Sequence, residues 1–140
     1  MTTKLALFLV CCAAFGQMDS STLRAKYGEP IARETFQVRP DTQAVVSYGT
    51  GHQVCKIELP PGSYMNPPHG APKQQVDEVI DELVAPASRG KEINKSVMSA
   101  SRIAMSFSGY ENVSVSEPQD PDHPGRRTGV TITFKRPDCH

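Results

Sequence analysis

Side chains that could bind a metal ion are concentrated in one loop of the sequence, which contains Asp120, Asp122 and His123. The two aspartates offer hard oxygen ligands and the histidine an imidazole, and His69 in an earlier loop could add a second imidazole. Zinc and calcium sites need three or more ligands at defined spacings, and the chain holds no HxxxH, HExxH or EF-hand pattern. A solvated polar loop is the alternative interpretation. We therefore expect no metal and no cofactor.

Two adjacent arginines, Arg126 and Arg127, lie between Gly125 and Gly129. Guanidinium groups pair bidentately with carboxylates and phosphates, so this pair could clamp an anion. The alternative is that both side chains are simply solvated. Among the serines there is no GxSxG pattern, so a serine nucleophile has no support. We predict no catalytic residue.

The segment Pro60 to Lys73 (PPGSYMNPPHGAPK) is rich in proline and glycine and carries Tyr64 and Met65. A stiff loop loses little entropy when it is ordered by a partner, so these two side chains are candidates for a contact surface. They could equally fold back onto the core.

The N-terminal segment has the organisation of a secretory signal peptide. Lys4 provides the positive charge, residues 5–14 form an apolar run, and small residues at Ala14 and Gly16 favour cleavage before Gln17. Ten apolar residues are too few to span about 30 Å of hydrocarbon. A buried helix, a membrane anchor and a lipid-modified cysteine are the alternatives. We expect a signal peptide at 1–16, then one domain at 17–140 that is periplasmic or extracellular, with no integral membrane segment.

Cleavage would remove Cys11 and Cys12 and leave Cys55 and Cys139 as the remaining cysteines. Two cysteines in an oxidising compartment favour a disulfide, and closing so long a loop contributes about 4.5 kcal/mol in the chain-entropy model. Two free thiols are the alternative. The chain has equal numbers of acidic and basic residues and no tryptophan, which argues against nucleic acid as a partner.

Apolar periodicity predicts two groups of elements in the chain. In the first half it predicts a short helix followed by three strands, at Ser21 to Tyr27, Glu34 to Val38, Gln43 to Tyr48 and Gln53 to Leu59. In the second half it predicts an amphipathic helix, an irregular polar segment and three more strands, at Gln74 to Val84, Ser88 to Ser96, Ile103 to Ser108, Val113 to Val115 and Val130 to Phe134. We predict a two-layer α+β domain with helices on one face of an antiparallel sheet. An α-β-β-β pseudo-repeat is possible in this order of elements.

The stretch Leu23 to Pro30, followed by Phe36 and the strand at 45–48, resembles the helix-Gly-x-Pro-strand entry of BamE/SmpA-type envelope proteins and the related beta-lactamase-inhibitor-like fold. The resemblance covers about 30 residues. In those families helices precede a three-stranded antiparallel sheet. The resemblance implies a protein that binds other proteins. Those proteins usually have two helices before the sheet, whereas this sequence indicates one.

Two functions are compatible with these patterns. The first is a small exported protein, not an enzyme, that binds another protein or an envelope component. The second is a small secreted enzyme or a ligand- or metal-binding domain whose site is assembled from loop residues such as His69, His123, Asp120 and Asp122. Convergence of these groups in one concave pocket would favour the second.

Overall fold

The computed structural model describes residues 19–27, 34–49, 52–60, 70–100 and 103–139. The signal peptide expected at 1–16 lies outside these ranges. The described helices are α1 (Ser20–Tyr27), α2 (Lys73–Leu83), α3 (Pro86–Arg89) and a 3₁₀ turn (Pro137–Cys139). The strands are β1 (Thr35–Arg39), β2 (Thr42–Tyr48), β3 (Val54–Leu59), β4 (Ala71–Pro72), β5 (Glu92–Ala100), β6 (Ile103–Tyr110), β7 (Val113–Gln119), β8 (Arg126–Arg127) and β9 (Val130–Phe134).

The strands form one antiparallel sheet that dominates the fold. Its main path runs β1-β2-β3-β9-β7-β6-β5, and the two short strands β4 and β8 pair with each other beside β7. The mixed α and β class predicted from the sequence is confirmed. The two predicted helices and the six predicted strands are all present among the described residues, with ends that differ by a few residues from the expected ones.

The hydrophobic core forms between the sheet and the helices because strand residues alternate between buried and half-exposed positions. On β9, for example, Val130, Ile132 and Phe134 are buried while Thr133 between them is exposed. The apolar stripe predicted for α2 is buried against the same cluster, through Val76, Val79, Ile80 and Leu83. Fully burying a side chain of this size stabilises a fold by roughly 1.5–3 kcal/mol. The core thus follows directly from the alternation of apolar residues in the sequence.

A cluster of charged and polar groups around Glu82 ties α1 to α2 and β1. Arg39 on β1 forms an ion pair with the Glu82 carboxylate, Tyr27 donates its hydroxyl to Glu82 Oε1 (3.3 Å), and Lys26 Nζ donates to the Glu82 carbonyl (2.8 Å). The Arg39 guanidinium holds the pKa of Glu82 below its usual range. Burial, followed by the nearby Glu82 charge, raises the pKa of Tyr27, which stays protonated as a donor.

The predicted disulfide between Cys55 and Cys139 is confirmed, with Cα atoms 5.3 Å apart. Cys55 lies on β3, and Cys139 ends the turn that follows β9. These two strands are neighbours in the sheet, with Ile57 opposite Ile132. The disulfide thus joins β3 to the segment that follows its neighbour β9.

The sequence prediction was wrong for residues 88–96, which were expected to be irregular. Pro86–Arg89 is a short helix, and Glu92–Ala100 is the nine-residue strand β5. Every residue of β5 is exposed, so burial imposes no apolar alternation on its sequence. The period-two signal used to recognise strands was therefore missing.

Two segments expected to be loops also contain short paired elements. The end of the segment Pro60 to Lys73 forms β4, and the expected loop between β7 and β9 contains β8. Gly70 permits this approach, because its φ is +66° and a Cβ there would collide with the backbone of Arg127. Composition rich in proline and glycine predicted irregularity, and pairing across the chain overrode it for these few residues.

Candidate binding edge and groove

Strand β5 is an open edge of the sheet. Within the described part of the chain it pairs with β6 alone, from Glu92 opposite Tyr110 to Ala100 opposite Ile103. Its other side therefore presents a row of backbone N–H and C=O groups to solvent. Nine residues give this edge a length of about 30 Å at 3.3 Å per residue.

The exposed large apolar side chains of the described residues are all on this strand. Ile93 is 63% exposed, and Val97 and Met98 are each 62% exposed. Soluble proteins usually protect an edge by making it short or by placing charges and proline on it. Strand β5 has charged residues at Glu92 and Lys95, but it is long, has no proline and exposes three large apolar side chains.

The opposite edge of the sheet, β1, is protected in these ways. It has five residues, its register with β2 shifts between Gln37 and Arg39, and Phe36 and Val38 are buried. Arg39 at its end is held by Glu82. The contrast identifies β5 as the edge that is available for pairing.

A groove of about 450 Å³ lies between α2 and the strands next to β5. Lys95 and Val97 of β5, together with Ser106, Ser108 and Tyr110 of β6, form its floor and outer side. It forms because the sheet continues past α2, and small serines on β6 leave space where a core would have large side chains. Gln119 donates to Ser106 Oγ (2.6 Å) across this floor.

Three ion pairs line the groove. Lys73 contacts Asp77 at 2.5 Å, Arg89 pairs with Asp81, and Arg127 Nε contacts Glu117 Oε2 at 3.0 Å. Arg127 and Glu117 are only 5% and 7% exposed, which makes this the buried pair of the set. Lys95 also lines the groove and has no hydrogen bond or ion pair within the described ranges. The groove therefore carries one cation in excess of its internal pairs.

The predicted ligand loop has an internal structure of its own. Asp120 is buried, and its Oδ1 accepts the backbone N–H of Asp122 (2.8 Å) and of His123 (3.1 Å). Burial alone would raise the pKa of Asp120, but these hydrogen bonds outweigh it and lower the pKa. The His123 ring nitrogen lies 3.5 Å from the same oxygen. The Asp120 carboxylate thus orders the turn.

The two predicted anion-binding arginines both donate to protein oxygens. Arg126 donates to the Gly70 carbonyl (Nε to O 3.0 Å), and Arg127 donates to Glu117 and to the Pro124 carbonyl (3.1 Å). The two guanidinium groups thus bridge β8 to β4 and to β7.

The remaining predicted contacts, Tyr64, Met65 and His69, lie outside the described residues. Their roles stay predictions, and so does a site combining His69 with His123. No group of three or more His, Cys, Asp or Glu side chains in the described ranges is arranged to hold a metal ion. In the same ranges, no helix is both long and apolar enough to cross a membrane.

Comparisons of the chain with protein-family models, with curated proteins and with solved structures find no match. The resemblance to BamE/SmpA-type proteins therefore stays a prediction, and the candidate site rests on the geometry of this chain alone.

The edge and groove were missed in the sequence because their residues come from elements far apart in the chain. Only β5 could have been recognised locally. Gly90 ends α3, and the residues that follow include Ile93, Val97 and Met98, which are strand-forming or apolar. The ion pair between Glu117 and Arg127 could not be recognised in the sequence. A charged residue at a buried strand position interrupts the apolar alternation by which strands are predicted.

Proposed function

We propose that this chain is an exported protein-binding domain that captures an extended segment of another protein along β5. Among the described residues, exposed large apolar side chains are confined to an edge strand that is paired on one side, and this observation carries the proposal. A strand added to a sheet edge gains main-chain hydrogen bonds, and its alternate side chains occupy surfaces on either face of the sheet. Here the groove beside α2 would receive the side chains on one face.

Several features support export. The signal-like segment at 1–16, with cleavage before Gln17, would deliver residues 17–140 to the periplasm or the extracellular medium. The disulfide between Cys55 and Cys139 is of the kind that persists in such an oxidising compartment. Intact-mass measurement of the exported protein is expected to place its first residue at Gln17 or within about two residues of it.

The fold is consistent with two related α-β-β-β units, which extends the proposed pseudo-repeat. The sequence pattern grouped α2 with the strands now labelled β6, β7 and β9. With β5 present, we instead group α1 with β1 to β3 and α2 with β5 to β7, and β9 joins the two sets of strands. The helices would form one layer and the sheet the other. The second unit then differs from the first because no described element covers the free side of its outer strand, β5.

A displayed library of random nine-residue peptides tests the proposal. Selection on the oxidised protein is expected to enrich peptides whose binding falls at least tenfold in Val97→Lys, because the substitution replaces the apolar side chain that the added strand would contact. Thr133→Lys is the matched control: it adds the same charge at an exposed strand position in the middle of the sheet, and should bind as the wild type does.

Both substitutions replace exposed side chains, so each is expected to change the free energy of unfolding by less than about 0.5 kcal/mol. Selected peptides that bind Val97→Lys as tightly as the wild type would refute capture at β5. Failure to enrich any peptide would also count against it. Sedimentation of the protein alone detects the competing outcome, in which a second copy occupies the edge.

A further inference from the structure

Considering only the described residues, the groove places one unpaired positive charge, that of Lys95, beside the open edge. Each of the other cations that line it, Lys73, Arg89 and Arg127, has a carboxylate partner within the groove. Lys95 stands on β5 itself, with its side chain on the groove side and Val97 two residues further along the same face. A strand added along β5 would therefore contact two side chains on this face, the cation Lys95 and the apolar Val97.

The alternation of a sheet determines what lies opposite Lys95. Residues directly opposite each other on paired strands lie on the same face, with Cβ atoms about 4.5–5.5 Å apart. One side chain of an added strand must therefore face Lys95, and the side chain two residues away must face Val97. A carboxylate suits the first position, because it would pair with the lysine, which has no carboxylate partner among the described residues.

We propose that β5 selects a segment with an acidic side chain opposite Lys95 and an apolar side chain opposite Val97, separated by one residue. This inference rests on the proposed capture at β5 and specifies the chemistry of the captured segment. The partner belongs to another protein, because pairing of two β5 strands does not supply both side chains. Besides Lys95, Val97 and Ser99, the groove face carries Glu92, which lies opposite Tyr110. Antiparallel pairing that sets Glu92 of one copy against Lys95 of the other would place Gly90 against Val97. Antiparallel pairing of two copies centred on Lys95 would bring two lysines together.

Three synthetic peptides test this selectivity. They have the sequence Ser-Thr-Val-Thr-X-Thr-Val-Thr-Ser, with Glu, Gln or Lys as X, and their symmetry allows either strand direction. The oxidised wild-type protein is expected to bind the glutamate peptide about threefold to tenfold more tightly than the lysine peptide, with glutamine between them. The preference should shrink as salt is raised from 0.02 to 0.5 M, because exposed charges are screened.

Charge reversal at Lys95 gives the decisive comparison. In Lys95→Glu the order of the three peptides should invert, whereas Lys56→Glu, which makes the same change of net charge on β3, should keep the wild-type order. Equal binding of the three peptides would overturn the inference and leave capture at β5 standing. Absence of binding by the glutamate peptide would overturn the inference as well, and capture itself is judged separately by the Val97→Lys selection.

Discussion

Glu82 links three elements through its charge, so its ionisation should contribute to stability. Replacing it in Glu82→Gln is expected to lower the free energy of unfolding by roughly 0.5–1 kcal/mol at pH 7, the usual range for a partly exposed ion pair. Arg39 lowers the folded-state pKa of Glu82 below its unfolded value of about 4.3. The contribution is therefore complete above about pH 5 and is lost as pH falls through the folded-state pKa.

Urea denaturation at pH 7, 5 and 3.5 measures this effect. The difference in unfolding free energy between the wild type and Glu82→Gln should become smaller as the solution becomes more acidic. Glu78→Gln, an exposed position on the same helix, should leave stability nearly unchanged at each pH. A gap for Glu82→Gln that is constant from pH 7 to pH 3.5 would show that the charge of Glu82 contributes nothing.

The buried pair of Glu117 and Arg127 predicts a larger and asymmetric effect. Glu117→Ala leaves the Arg127 guanidinium, which is 5% exposed, without its carboxylate, and is expected to cost about 3 kcal/mol of unfolding free energy. The double variant Glu117→Leu with Arg127→Met removes both charges and should recover much of that loss. Chemical denaturation of the three proteins provides the comparison. A double variant as unstable as Glu117→Ala would show that packing, and not the stranded charge, causes the loss.

At the scale of elements, hydrogen exchange should reveal the open edge. Strand β5 has one neighbour in the described part of the chain, so alternate amides donate to β6 while the others face solvent. We expect a two-residue pattern of fast and slow exchange along Glu92–Ala100, followed residue by residue with NMR. Strand β7, which has neighbours on both sides, should exchange slowly at every amide of its central residues. Uniformly slow exchange in β5 would mean that its edge is already covered.

The elements that could be predicted from the sequence are those whose pattern is imposed by burial. Helix α2 was recognised because its buried stripe recurs with the helical period, and β9 because Val130, Ile132 and Phe134 alternate with polar residues. The disulfide was predictable because the expected compartment left two cysteines to pair.

The candidate site could not be predicted for the same physical reason. Strand β5 is held by backbone pairing to β6 and contributes nothing to the core, so no residue type is dictated at its positions. The groove exists because the strand order places β5 and β6 beside α2. That strand order is determined by contacts between residues distant in sequence. Lys95 is distinctive only because the neighbouring cations are paired, and a sequence does not show which charges pair.

For the molecule as a whole, the disulfide is expected to make a large contribution to the free energy of unfolding. Cys55→Ser should lower the free energy of unfolding by about 2–4 kcal/mol and Tm by roughly 10 °C, because the bond closes a loop with a sequence separation of 84. Calorimetry of the oxidised protein, the reduced protein and Cys55→Ser measures it, and the last two should melt alike. Thiol titration of the denatured, unreduced protein that begins at Gln17, and so lacks Cys11 and Cys12, should find neither Cys55 nor Cys139 free. Two titratable thiols would refute the bond.

The position of β9 also determines the order in which the sheet can form during synthesis. It is the last strand along the chain, yet it lies between β3 and β7 in the middle of the sheet. The antiparallel strands β1 to β3 can form from local contacts, and so can β5 to β7. However, β3 and β7 each have one unpaired side until β9 is present. Contacts between residues distant in sequence form slowly, and strand edges that are unpaired in the meantime are prone to non-native pairing. The complete sheet therefore cannot form until residues 130–134 have emerged from the ribosome.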